Sequence, residues 1–85
     1  MRELFLKSLE LTDAGGRLRR YDYYIIVDEL DAGESYGIRI DERGGRQAAV
    51  RQITCSLSRI EELAGLVLRG AVTPTTLTDV VSDWL

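Results

Sequence analysis

Apolar positions along the chain change their period once, close to residue 55, and the change divides the sequence into two kinds of element. Glu3 to Thr12 reads as an extended mixture of apolar and polar residues that stops at Asp13-Ala14-Gly15-Gly16, where glycine can supply positive φ. Arg17 to Asp28 concentrates Tyr21, Tyr23, Tyr24, Ile25, Ile26 and Val27, the aromatic and β-branched composition of a strand. A polar loop is expected over Glu29 to Glu34. Ser35 to Ile40 then alternates, with Tyr36, Ile38 and Ile40 on one face and Gly37 and Arg39 on the other. Asp41 to Arg46 contains a second glycine pair, and Gln47 to Ile53 returns as a fourth strand. Its facing is ambiguous around Ala48, Ala49 and Val50, where a bulge is expected.

Beyond Cys55 the spacing becomes helical. Ser58-Arg59-Ile60-Glu61 fits a capping box, with Ser56 as the competing cap, and Ile60, Leu63, Ala64 and Val67 recur on one face. Gly70 is the expected left-handed stop. Thr73-Pro74 reads as an N-cap followed by a first-turn proline, and Leu77, Val80, Val81, Trp84 and Leu85 share the face of a second helix. Short loops force consecutive strands to pair antiparallel, since a parallel pair needs a long crossover. The expected fold is therefore α+β: a four-stranded antiparallel meander followed by two short C-terminal helices packed on one sheet face. It forms a single domain, 1–85, with the sheet in 1–54 and the helical pair in 55–85.

Composition then removes whole classes of chemistry. Among 85 residues there is no histidine, which takes away the commonest general base and metal ligand. Cys55 is the one cysteine, so no internal disulfide and no cysteine-rich metal site can form, and neither a metal nor a cofactor is expected. The N-terminal residues have no apolar run of signal-peptide length, and no stretch is apolar enough to span a bilayer, so a cytoplasmic protein without a membrane association is expected. The formal charge of −3 is spread evenly, with no strongly basic half for a phosphate backbone.

The segment Val72 to Leu85, with Thr73-Pro74 and the closing Asp83-Trp84-Leu85, resembles the last helix of a family of short bacterial proteins catalogued as domain of unknown function 6514. Tyr21-Asp22-Tyr23-Tyr24-Ile25-Ile26 is similar to that family's tyrosine-rich strand, and Glu34-Ser35-Tyr36-Gly37-Ile38-Arg39-Ile40 to its Ser-Tyr-Gly-Ile strand. The resemblance implies a length and a fold. It carries no catalytic or ligand residue across.

Candidate chemistry is sparse. Cys55 lacks the arginine that a phosphatase loop needs six residues on, where Glu61 stands, and it is expected to be a small buried thiol. The carboxylates of Asp28 to Glu34 miss the spacing of a calcium loop and read as a solvated turn. Arg17, Arg19, Tyr21 and Tyr23 share one face of their strand, the arrangement by which open sheets hold single-stranded nucleic acid. The alternative is that the tyrosines lie under the helices and the arginines pair with carboxylates across the sheet. Leu66 and Leu68 exceed what the helix stripe can bury, and suggest a contact with a protein partner or with another copy. No catalytic residue is expected. The leading reading is a non-catalytic protein-interaction or regulatory module that is expected to pair as a homodimer, and the alternative is a nucleic-acid-binding module built on Arg17, Arg19, Tyr21 and Tyr23.

Overall fold

The computed structural model describes residues 1–85 as six elements in chain order: β1 (Arg2–Thr12), β2 (Leu18–Leu30), β3 (Gly33–Glu42), β4 (Gln47–Thr54), α1 (Leu57–Arg69) and α2 (Leu77–Trp84). The strands lie in the order β1-β2-β3-β4, each antiparallel to its neighbour, so the meander and the two following helices form as the sequence predicts. Alternation decides which face is covered. Tyr21, Tyr23, Ile25 and Val27 of β2 and Ile38 and Ile40 of β3 point to the helical side, where they meet Ile60, Leu63 and Val67 of α1 and Leu77 and Val81 of α2. The helices leave the opposite sheet face without a second layer.

Local chemistry moves several boundaries. The expected loop over Glu29 to Glu34 shrinks to a two-residue turn at Asp31-Ala32, because Glu29 pairs with Glu34 and Leu30 with Gly33 across the hairpin. Arg2 makes that like-charge pair tolerable, donating to Glu29 at 3.4 Å and to Glu34 at 2.9 Å. The bulge in β4 falls later than expected: Ala48 and Val50 keep register with Ile40 and Ile38, and Arg51 to Ile53 buckle opposite Gly37, with Gln52 at φ 53°. A second bulge, at Leu6 in β1, places both Leu6 and Lys7 opposite Tyr23.

Helix ends also differ from the sequence signals. Of the two candidate caps for α1, Ser56 is the one used: its hydroxyl accepts from the Arg59 N–H at 3.3 Å, and its own N–H donates to Thr54 Oγ1 at 3.1 Å. Ser58 lies inside the helix. Pro74 begins a turn closed by Thr76 N–H to Thr73 C=O at 3.1 Å, and regular α2 starts only at Leu77. The left-handed stop of α1 falls on Ala71, φ 48°, and not on Gly70, which is right-handed at φ −83°. Val72 N–H to Val67 C=O and Ala71 N–H to Leu68 C=O, at 3.1 and 3.2 Å, complete a Schellman motif and fix the left-handed position one residue after the glycine. Alanine there carries a Cβ penalty that glycine lacks. Ala71→Gly is accordingly expected to stabilise the protein by about 1 kcal/mol, read as a rise of roughly 4–8 °C in melting temperature by circular dichroism. An unchanged or lower melting temperature would show that this position carries no strain.

Candidate functional site

The arginine and tyrosine face is split by its surroundings. Tyr23 is fully buried and Tyr21 nearly so, both beneath the helical layer, so neither ring offers a stacking surface. The Tyr23 hydroxyl donates to the Val72 carbonyl at 2.7 Å, and burial pushes its phenol up to about 12. Arg19 lies between Asp13, at 3.0 Å, and Glu42, while Arg17 sits exposed in the β1–β2 turn. The Asp13 carboxylate accepts from the backbone N–H of Arg17 at 2.9 Å and from the Arg19 guanidinium, which hold it below the usual carboxylate range. Arg17, Arg19, Tyr21 and Tyr23 therefore do not make one open surface, because the helices cover the end of their shared strand face that carries the tyrosines and leave the arginines beyond it.

The remaining candidates separate as well. Leu68 packs against the core, whereas Leu66 stays 42% exposed on the outside of α1. Cys55, expected to be buried, is exposed, because it occupies the short connection by which the chain leaves β4 for α1. No group of three His, Cys, Asp or Glu side chains is placed to hold a metal ion. Asp28 is buried, and the Arg51 guanidinium beside it, donating from Nε at 3.1 Å, keeps its carboxyl below the ordinary value.

The sheet face without helices is a lattice of ion pairs. Arg39 forks onto both oxygens of Asp41, each at 2.8 Å, reaches Glu3 at 2.6 Å, and lies over the Tyr24 ring at 5.6 Å. Phe5 meets the same ring edge-on, with centroids 5.6 Å apart. Ser8 donates to Asp22, which also faces Arg43 at 3.6 Å. Tyr24 is thus engaged by its neighbours, and Phe5 is left as the exposed aromatic ring of this face.

Two surfaces stand out from this background. The first is the N-terminal half of β1, an edge strand with no neighbour on its outer side, where Leu4 is 46% exposed on the helical side and Phe5 is 59% exposed on the other. The expected meander already makes β1 an edge, but the sequence does not single out Leu4 and Phe5, since the pattern of Glu3 to Thr12 leaves open which of its side chains face the helices. The second is an open cleft of 330 Å³ at the far end of the sheet, lined by Arg17, Leu18, Arg19, Arg20, Glu42 and Arg43. It forms because β2 runs past its last pair with β3, Tyr21 with Glu42, so that Leu18 to Arg20 pair only with β1. Of the six residues suggested as partner-binding, Arg17 and Arg19 fall in this cleft, Tyr21 and Tyr23 in the core, and Leu66 and Leu68 on α1.

No helix is long and apolar enough to cross a membrane. No curated protein and no solved structure matches the chain. The resemblance seen in the strands and the last helix extends over nearly the whole length: residues 2–85 match the group described as "Family of unknown function (DUF6514)", and the chain belongs to that family.

Proposed function

We propose that the protein acts in the cytoplasm by binding and not by catalysis, and that the N-terminal half of β1 is its contact surface, taken first by a second copy of the chain. The observation that carries this reading is the bare β1 edge with Leu4 and Phe5 exposed on opposite faces. Strand addition there supplies backbone hydrogen bonds, and it covers apolar side chains on both sides of the extended sheet. Identical edges related by a two-fold axis present the same residues to each other, which makes the contact self-complementary. The other edge supports closure at two copies. Its bulge at Arg51 to Ile53 interrupts regular pairing, so strand addition does not continue from β4 into a filament. The bulge at Leu6 and the exposed Lys7 confine the β1 contact to its first residues in the same way.

Sedimentation equilibrium tests this directly. The parent protein is expected to show twice the mass of one chain, and Phe5→Lys to weaken the dimer at least about thirtyfold, the effect of losing a contact worth roughly 2 kcal/mol. A parent protein that stays monomeric at all concentrations would overturn the self-association.

A further inference from the structure

We propose that the arginine-lined cleft is a second binding site, and that its ligand is an acidic, extended peptide segment of a protein partner. The site lies at the opposite end of the sheet from Leu4 and Phe5 and goes beyond the dimer reading. Its cations are unevenly committed. Arg19 is held by Asp13 and Glu42, which also neutralises the one carboxylate lining the cleft. Arg17 has no carboxylate within ion-pair distance, and Arg20 and Arg43 hold theirs loosely, Glu10 at 4.0 Å and Asp22 at 3.6 Å. Exposed guanidinium groups around a concave surface, with the internal acid already paired, favour bidentate contacts to incoming carboxylates.

Backbone geometry distinguishes a peptide from other anions. Leu18 to Arg20 have β1 on one side and no strand on the other, where the contact made is from Arg43 N–H to the Arg20 carbonyl at 2.9 Å. An extended chain laid against this step continues the line of β3 and finds ladder groups waiting. Leu18, 67% exposed within the cleft, gives an apolar side chain of the ligand something to cover. Single-stranded nucleic acid has the charge but lacks its usual platform, since Tyr21 and Tyr23 are buried and Tyr24 is covered by Arg39 and Phe5.

The test is fluorescence anisotropy with a labelled octaglutamate peptide, at low salt and at physiological salt. The parent protein is expected to bind, more weakly as salt rises, and the exposed double variant Arg17→Glu with Arg43→Glu to lose at least tenfold in affinity. Arg69→Glu, on α1 and away from the cleft, changes the net charge by the same two units as either single variant and should bind within twofold of the parent, where Arg17→Glu or Arg43→Glu alone loses at least about threefold. Phe5→Lys separates the two sites: retained peptide binding by a monomeric variant shows that the cleft works without the dimer. A loss in Arg69→Glu equal to that of the single cleft variants would mean that only net charge matters, and would overturn the site. So would tighter binding of an oligothymidine with the same number of charges, or unchanged binding in the double variant.

Discussion

Gly37→Ala is expected to lower stability by about 3 kcal/mol, the upper end of the cost of overpacking, and the melting temperature by roughly 12–24 °C. A Cβ at this position would stand 2.3 Å from the Val50 carbonyl oxygen and 2.8 Å from Arg51 Cα. Both are backbone atoms where β4 enters its bulge, which folds down over the bare glycine, so no side-chain rotation relieves the clash. The displacement would propagate. Arg51 leaves this bulge to reach buried Asp28, and moving it strands a carboxylate away from water. Gly65→Ala is the natural control, because its Cβ would meet only the tip of the Arg69 side chain, at 3.0 Å, and alanine is the better helix former. Thermal unfolding of the two variants side by side should show a large fall for the first and no loss for the second. A Gly37→Ala protein that melts within 2 °C of the parent, as roughly half a kcal/mol implies, would show that the bulge does not sit against the glycine.

That glycine also marks where the sequence stops being readable. Tyr36, Ile38 and Ile40 announce a half-buried strand through their spacing, and they do pack under the helices. The same alternation puts Gly37 on the open face but is silent about what covers it. The covering bulge depends on Gln52 at positive φ, a conformation that no residue preference assigns to glutamine. Ala71 is a parallel case: Gly70 carries the sequence signal, and the hydrogen bonds from Ala71 and Val72 shift the left-handed position by one. Local signals found the elements, whereas pairing between distant residues set their ends. Arg2 and the Glu29–Glu34 pair, 27 and 32 residues away, show how far such pairing reaches.

For function the division is similar. Arg17, Arg19, Tyr21 and Tyr23 read as one surface because they share a strand face, and only the position of the helices decides that the tyrosines are core. Arg20 and Arg43 were not grouped with them, since the step that gathers these side chains comes from two strands of unequal length. The meander makes β1 an edge, yet Leu4 and Phe5 are not singled out by it, because the mixed pattern of Glu3 to Thr12 and the bulge at Leu6 leave the facing of that strand unreadable.

Tyr23→Phe is expected to cost about 1–3 kcal/mol near neutral pH, the range for leaving a buried acceptor without its donor. Phenylalanine fills the same volume, so the change isolates the hydroxyl, whose 2.7 Å bond to the Val72 carbonyl ties the centre of β2 to the turn after α1. Burial pushes this phenol up to about 12, above its value of roughly 10 in an unfolded chain. A group raised in this way stabilises the fold fully below about pH 10, and the contribution disappears as pH climbs through 12. The difference between parent and variant should therefore be largest at pH 8 and shrink by pH 11, because phenylalanine has no proton to lose. Urea unfolding at these two pH values measures both points in one series. Tyr24→Phe, on the open face, serves as the comparison and should leave the urea midpoint at pH 8 close to that of the parent. Equal urea midpoints for parent and Tyr23→Phe at pH 8 would show that the bond to Val72 does not hold the helical layer to the sheet.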